Sequence, residues 1–325
     1  MKRNTLFKLH TATEFNEMAL KIFKFQASHN TVYKNFINLL NINVNSIQKI
    51  EQIPFLPIQF FKTHQVVSSS KKEQQVFLSS GTTGNNQSKH FVTDLAVYEK
   101  SFRKGFEYFY GKIEAYTVLA LLPSYLERKG SSLIYMVNDF IQKSNNPKSD
   151  FFLNNLDELS ENLRELDQNN DKVLLIGVSF ALLDLIEKYQ FNLKNTVVME
   201  TGGMKGKRKE LIREELHYIL QKGFGVEKIH SEYGMTELLS QAYSKGNGIF
   251  ECPPWMKVLT RDTEDPLTIL PKGKSGGLNI IDLANINSCS FIATQDLGKV
   301  YPNNTFEVLG RFDNSDIRGC NLLVL

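Results

Sequence analysis

The segment VFLSSGTTGNNQSKHFV, residues 76–92, concentrates side chains that could bind an anion. Hydroxyl and glycine residues fill its centre: Ser79, Ser80, Gly81, Thr82, Thr83 and Gly84. Consecutive N–H groups of such a loop can form an anion nest, and these donors suit the outer phosphates of a nucleotide. The apolar flanks predict a loop that joins two strands. Taken alone, a loop of this composition is more often an ordinary turn, because Gly and Ser favour turns for backbone reasons.

The loop lacks the signatures of the two best-known phosphate-binding turns. It contains neither the GxxxxGK[ST] of a P-loop NTPase nor the GxGxxG of a dinucleotide fold. Three further segments follow apolar runs and carry reactive types: GGMKGKRKE (residues 202–210), HSEYGMTE (residues 230–237) and TQDLGKV around Asp296. Each also has a purely structural interpretation. The first could start a basic helix, Thr236 and Glu237 could cap one, and Asp296 could lie in a turn.

The elements that must position these residues alternate between strand and helix over residues ~94 to 237. The apolar runs YTVLALL, KVLLIGV and NTVVMET are followed by helical patterns such as ALLDLIEKY and KELIREELHYIL. This alternation predicts an α/β fold with a mostly parallel sheet flanked by helices. Ligands of such sheets bind outside the carboxyl ends of the strands, where the segments above lie. We expect a helical N-terminal segment (1–70), an α/β nucleotide-binding core (71–247) and a smaller β-rich region (248–325).

Composition restricts the partners of the chain. Its 38 Lys and Arg against 35 Asp and Glu leave a formal charge of +3, which does not call for nucleic acid. The three widely spaced cysteines, Cys252, Cys289 and Cys320, indicate neither a disulfide framework nor a zinc site. The N-terminus has no apolar core of a signal peptide, and no apolar run is long enough to span a membrane. We expect a soluble cytoplasmic protein.

Taken together and in order, the motifs resemble those of the adenylate-forming superfamily of acyl-CoA synthetases, luciferases and peptide-synthetase adenylation domains. SSGTTG is similar to its phosphate loop and EYGMTE to its tyrosine-glycine-x-threonine-glutamate motif. Asp296 in TQDLG is similar to its ribose-binding aspartate, and GRFDNSDIRG (residues 310–319) to its hinge. Within the superfamily the chain resembles the LuxE acyl-protein synthetases through IPFLPIQFFK, TGGMK, CPPWMKV, FIATQDLG and the terminal RGCNLLVL.

The resemblance implies ATP-dependent activation of a carboxylic acid, with a fatty acid expected, followed by transfer of the acyl group to a thiol. It places the β- and γ-phosphates on the loop from Ser79 to Gly84, Mg²⁺ on Glu237 and the α-phosphate beside Thr236. Tyr233, Gly202 and Gly203 would enclose the adenine, Asp296 would bind the ribose, and Arg311 would contact the ribose or a phosphate. Cys320 would accept the acyl group, and a reductase or acyl carrier protein could receive it afterwards.

Two departures from the superfamily pattern keep alternatives open. Four residues, NNQS, separate Gly84 from Lys89, so Lys89 receives no role, and the chain ends before the mobile C-terminal domain that carries a catalytic lysine. We therefore expect that domain to be absent. Either Lys89 or another cation then takes over, or the adenylation half-reaction is slow, or a partner protein completes the site. A coenzyme A ligase resembling phenylacetate ligases is one alternative. A non-catalytic subunit that binds a nucleotide or a partner protein is the other.

Overall fold

A computed structural model of the chain describes residues 3–80, 87–123, 130–202, 208 and 211–312. The α-helices in this part of the chain are Ala12–His29 (α1), Thr31–Leu39 (α2), Phe60–Thr63 (α3), Leu95–Tyr110 (α4), Ser132–Ser144 (α5), Leu156–Gln168 (α6), Ser179–Lys188 (α7) and Arg213–Phe224 (α8). Short 3₁₀ turns lie at Arg3–Lys8, Val44–Ser46, Ile50–Gln52, Ile113–Ala115 and Leu283–Asn287. None of the described helices is both long and apolar enough to cross a membrane.

The strands form one large sheet and one separate hairpin. In chain order they are Leu56–Pro57 (β1), Gln75–Leu78 (β2), Lys89–Val92 (β3), Thr117–Leu121 (β4), Asp150–Phe151 (β5), Val173–Gly177 (β6), Thr196–Thr201 (β7), His230–Tyr233 (β8), Ala242–Ser244 (β9), Ile249–Glu251 (β10), Met256–Arg261 (β11), Ser275–Asp282 (β12), Phe291–Val300 (β13) and Phe306–Arg311 (β14). The order across the large sheet is β11-β12-β13-β14-β10-β9-β8-β7-β6-β4-β5, with β1 paired to β13.

One half of the large sheet is parallel, as the alternating pattern predicts. Strands β5, β4, β6, β7 and β8 pair in parallel, and helices α5 to α8 connect them in turn. Every residue of β4 and β6 is buried, because helices cover both faces of this half. The carboxyl ends of β7 and β8 therefore lie side by side, and they bring Gly202 and Tyr233 to the same edge of the sheet.

The other half of the sheet is antiparallel and carries the C-terminal motifs. From β8 outward, β9, β10, β14, β13, β12 and β11 pair antiparallel in succession. These strands extend the same hydrogen-bonded sheet as the parallel half, and β13 alone spans ten residues. The α/β class is confirmed, with parallel strands giving way to antiparallel ones. The division of the chain at residues 70 and 247 stays a prediction.

The N-terminal helices pack against the antiparallel half. Thr11 and Glu14 form a capping box that starts α1, satisfying two of the free backbone donors at the helix start. Phe23 of α1 packs edge-to-face on Tyr33 and Phe291, with ring centroids 6.2 and 6.0 Å apart. The buried Gln26 amide donates to the carbonyl of Asn285 at 2.9 Å, so α1 is anchored to the turn that follows β12.

Candidate functional site

The phosphate-loop candidate joins two strands, as its apolar flanks predict. Strands β2 and β3 form an antiparallel hairpin in which Leu78 pairs with Lys89. At its open end the Ser79 N–H donates to the Ser88 carbonyl at 3.1 Å, and the Ser88 N–H donates to the Ser79 hydroxyl at 2.9 Å. Ser80 is exposed beside this closure. The central residues Gly81, Thr82, Thr83 and Gly84 lie outside the described part of the chain.

Tyr233 and Asp296 meet across the sheet from motifs 63 residues apart. The Tyr233 hydroxyl donates to Asp296 Oδ2 at 2.7 Å, and Arg311 Nε lies 3.5 Å from Asp296 Oδ1. The pairing of β13 with β14 sets Arg311 opposite Asp296. Burial raises the pKa of Asp296, while the Tyr233 hydrogen bond and the charges of Arg311 and Arg261 oppose this. A carboxylate has room for about four hydrogen bonds, so Asp296 can keep Tyr233 and still accept from a diol.

Glu237 lies between this group and the phosphate-loop hairpin. Its side chain is 5% exposed and accepts a hydrogen bond from the Ser88 hydroxyl. Burial raises the pKa of Glu237, and the positive charges of Arg311 and Lys62 act against that shift. Hydrogen bonds join Ser79, Ser88 and Glu237, while Arg311, Asp296 and Tyr233 form a second group of contacts, and the charge of Arg311 acts on Glu237. We call these six residues the site chain.

The backbone of Thr236 is held by a buried histidine of the hairpin. Nδ1 of His90, on β3, lies 2.8 Å from the Thr236 carbonyl oxygen. The imidazole is fully buried, and Phe61 of α3 packs edge-on against it with centroids 5.7 Å apart. Burial lowers the pKa of His90 to about 4. The hairpin is therefore attached to the Thr236–Glu237 turn by both Ser88 and His90.

A buried carboxylate fixes the turn that follows Glu237. Asp282, at the end of β12, accepts from the N–H groups of Leu239 and Ser240 at 2.8 and 3.0 Å and from the Ser240 hydroxyl at 2.6 Å. The Ala284 N–H donates to its other oxygen at 3.0 Å. Burial raises the pKa of Asp282 to about 6, although all four donors favour the ionised form. Trp255 of the CPPW segment donates its indole N–H to Ser240 at 3.1 Å, which joins that segment to the same turn.

The adenine-side residues are partly described. Gly202 follows β7 with φ +68°, a left-handed conformation that glycine adopts without strain, and its carbonyl accepts from Ser179 at 2.6 Å. Beside it, buried Glu200 lies 3.8 Å from Arg213 and 3.6 Å from His217. Gly203 is outside the described residues, as is Cys320. Their predicted roles stay predictions.

Sequence reasoning missed three polar residues that support the site. Ser88 and His90 were hidden in the flank of the loop, and Asp282 ends an apolar strand without any motif of its own. The only signal in the sequence was a polar residue at a position that the alternating pattern of the strand would bury. Lys89, which received no role, is exposed at the start of β3, on the opposite face from His90.

The residues of the site suit a magnesium–nucleotide complex better than a free metal ion. Within the described residues, no group of three or more His, Cys, Asp and Glu could hold a metal. Mg²⁺ is usually bound by one or two carboxylates together with waters and substrate phosphates. Glu237, next to the open end of the phosphate-loop hairpin, fits the role of that single carboxylate.

Known proteins resemble this chain in family and in fold. The profile of a family described as acyl-protein synthetase, LuxE, matches residues 124–325. The crystal structure of ATP-bound MatB from Rhodopseudomonas palustris is 16% identical with a TM-score of 0.56, covering 75% of this chain and 49% of that one. A 2-hydroxyisobutyryl-CoA ligase with 2-HIB-AMP and CoA is 12% identical with a TM-score of 0.70, covering 94% and 70%.

These likenesses establish the fold of the chain. The chain spans about half the length of the MatB structures that it matches. No curated protein matches it at a significant level.

Proposed function

The chain belongs to the LuxE acyl-protein synthetase family, and from this premise we propose that it uses ATP to activate a carboxylic acid as an acyl-adenylate. The observation that carries the proposal is the site chain. Motifs that lie far apart in sequence come together in it: Ser79 at the phosphate loop is linked through Ser88 to Glu237, and Arg311, whose charge acts on Glu237, pairs with Asp296 beside Tyr233 at the nucleoside end. A fatty acid is the substrate class that we propose.

In the first step a carboxylate oxygen of the acid attacks the α-phosphorus of ATP. A new C–O–P bond forms, the bond from the α-phosphorus to the bridging oxygen breaks, and pyrophosphate leaves. Because both reactants are anions, catalysis must come from positioning and from charge neutralisation. Asp296 and Tyr233 hold the ribose and adenine, and Arg311 and Lys62 supply positive charge near Glu237.

Magnesium supplies further charge neutralisation when it is bound with the nucleotide. Glu237 would hold it, since a buried carboxylate is a hard oxygen ligand. The Ser88 hydrogen bond and the charges of Arg311 and Lys62 favour the ionised form of Glu237 that this role needs. Thr236, whose backbone His90 holds, would stand beside the α-phosphate.

In the second step a thiolate attacks the acyl carbon, the bond from that carbon to the phosphate oxygen breaks, and AMP leaves. Two of the three cysteines are poor candidates for this step. Burial raises the pKa of Cys289 to about 12 and moves that of Cys252 higher still, so few of their thiols ionise near neutral pH. We therefore propose Cys320 as the acceptor. A reductase or an acyl carrier protein would then receive the acyl group.

The test of the first step is ATP–pyrophosphate exchange with a panel of carboxylic acids. We expect the wild type to exchange only with Mg²⁺ and an acid present, and Glu237→Gln to need more magnesium and to react more slowly. Glu251→Gln, at an exposed strand residue away from these contacts, is the matched control. Exchange by Glu237→Gln at the wild-type rate under limiting magnesium would remove Glu237 from the metal site.

A coenzyme A ligase is the second candidate, favoured by the structural likeness to a ligase crystallised with 2-HIB-AMP and CoA. The same reaction mixtures distinguish the two. Formation of acyl-CoA on addition of CoA supports the ligase, whereas a covalently acylated chain supports acyl-protein synthesis. ATP binding without any exchange would instead support the non-catalytic subunit. We propose a reducing cytoplasm as the location, because the three widely spaced cysteines do not indicate a disulfide framework.

A further inference from the structure

His90 connects the phosphate-loop hairpin to the residues that follow β8. It lies on β3, and its contact with Thr236 joins segments 146 residues apart in sequence. The ring is fully buried, with Phe61 against one edge. The family resemblance assigns His90 no role, and the reaction as described above does not use its side chain.

The contact determines which ring nitrogen carries the proton. A carbonyl oxygen can only accept, so the Nδ1 atom facing Thr236 must be the N–H donor. Since burial keeps the imidazole neutral at ordinary pH, Nε2 is then an unprotonated acceptor. Nε2 is itself buried and has no hydrogen-bond partner among the described residues. The imidazole therefore makes one directed bond, and that bond holds Thr236.

A second contact beside it ties the same two segments together. Ser88, two residues before His90, donates its hydroxyl to the Glu237 carboxylate. Two buried residues on the same face of the hairpin, Ser88 and His90, thus bind two successive residues of the turn. A shift of the hairpin would move Thr236 and Glu237 with it.

We propose that His90 is a positioning residue for adenylation, a role that rests on the proposed function. Its Nδ1–H bond to the Thr236 carbonyl sets the distance between the phosphate loop and the Thr236–Glu237 pair. The nucleotide phosphates bound by the loop and the magnesium bound by Glu237 would then be correctly placed relative to each other. Losing the bond lowers the rate of the chemical step more than it weakens ATP binding, because misplacement by about 1 Å can cost roughly a hundredfold in rate.

Two amide substitutions distinguish the effect of losing the hydrogen bond from the effect of losing the ring. In His90→Asn an amide nitrogen attached to Cγ takes the place of Nδ1, whereas in His90→Gln the amide group reaches toward the place of Nε2. We expect His90→Asn to retain most of the exchange rate and His90→Gln to lose roughly tenfold to a hundredfold in kcat with a smaller change in the KM for ATP. His90→Phe, which keeps the ring and its contact with Phe61, should behave like His90→Gln.

His230→Asn is the matched control. That histidine is also partly buried with a lowered pKa, but it faces Tyr110 at the other end of β8. We expect its exchange rate to equal that of the wild type. Equal kcat values for His90→Asn and His90→Gln in folded variants would overturn the proposal.

The tautomer in the wild type provides a test that needs no variant. Nitrogen-15 spectra of histidine-labelled protein should show His90 as the Nδ1–H tautomer, and an Nε2–H tautomer would overturn the proposal even if every His90 variant failed to fold. A wild type that lacks exchange with all acids would instead overturn the proposed function, and the role of His90 with it.

Discussion

Three carboxylates lie in or directly behind the candidate site, two of them buried and Asp296 half-buried, and desolvation acts on each in the same direction. The pKa values of Glu237, Asp296 and Asp282 are all raised, because a charged group loses hydration when it is buried. Each is also surrounded by donors or positive charges that favour ionisation. Such opposed effects are typical of functional sites, where a charge is held ready for a ligand.

Asp296→Ala should weaken ATP binding. The variant loses the two acceptor oxygens proposed for the ribose hydroxyls and one of the hydrogen-bond partners of the Tyr233 hydroxyl. The expected loss is about 1 to 3 kcal/mol in binding free energy, measured by calorimetry. Asp171→Ala, at an exposed position near the amino end of β6, is the control. An unchanged dissociation constant in folded Asp296→Ala would leave Asp296 with a structural role alone.

The raised pKa of Glu237 predicts an acid limit on magnesium use. Protons compete with the metal for the carboxylate, so the magnesium requirement should rise as pH falls, starting above the range of an ordinary glutamate. Ser88→Ala removes a donor that lowers this pKa, and the acid limb of the exchange profile should move to higher pH. Ser28→Ala, exposed on α1, should leave the profile in place.

The raised pKa of Glu237 also predicts how the stability of the protein depends on pH. The pKa of Glu237 is higher in the folded chain than in the unfolded chain. Its contribution to the free energy of unfolding is therefore fully present below the pKa of the unfolded chain, and it is lost as pH rises through the pKa of the folded chain. Removing the charge should therefore stabilise the ligand-free protein at neutral pH. Thermal unfolding of Glu237→Gln should show a higher Tm than the wild type at pH 7 and no gain under acid conditions.

At the scale of elements, the site depends on the connection between β8 and β9. This short segment contains Thr236 and Glu237, and its conformation is held from three directions. The hairpin holds it through His90, β12 through Asp282, and the 3₁₀ turn through Asn285, whose amide donates to the Glu237 carbonyl at 2.7 Å. Because α1 in turn anchors that 3₁₀ turn, the N-terminal helices also support the site.

Asp282→Asn should disturb this connection. The carboxylate accepts four hydrogen bonds, and an amide would direct its own N–H₂ group at one of those donors. We expect a loss of about 1 to 3 kcal/mol in the free energy of unfolding, measured by denaturant titration, together with slower exchange. Asn is similar to Asp in size, so the effect reports hydrogen bonding and not packing. Unchanged stability and exchange would mean that the turn does not need the carboxylate.

For the whole molecule, the proposed adenylation and acyl transfer would have to share one site. Asp296 and Arg311 lie on the last two described strands, and the terminal segment that contains Cys320 follows β14. The ten residue-to-residue steps from Gly310 to Cys320 could span at most ~33 to 36 Å when extended. That reach is enough for the thiol to approach an adenylate from a resting place elsewhere on the surface.

Cys320→Ala should abolish acyl labelling of the protein while leaving pyrophosphate exchange intact. A thioester is cleaved by neutral hydroxylamine, so the label on the wild type should be released by it. Cys320→Ser should at most form a stable ester that resists this treatment. Intact mass spectrometry after incubation with ATP, magnesium and acid measures both results. Undiminished hydroxylamine-sensitive labelling of Cys320→Ala would redirect attention to Cys252 and Cys289.

The sequence was sufficient to predict the α/β class, the parallel half of the sheet and a phosphate loop that joins two strands. The resemblance of its motifs to those of adenylate-forming enzymes also brought Tyr233, Asp296, Arg311 and Glu237 forward as one group. These features follow from local signals: apolar periodicity, the turn chemistry of glycine and hydroxyl residues, and short motifs in a fixed order.

How these four residues are assembled into a site depends on tertiary contacts that the sequence does not reveal. The antiparallel strands continue the parallel sheet because β9 pairs with β8 and β10 with β14. Ser88, His90 and Asp282 gain their roles from partners that lie far away along the chain. A buried polar side chain is defined by the donor or acceptor that folding brings to it, and such a pairing leaves no periodic pattern in the sequence.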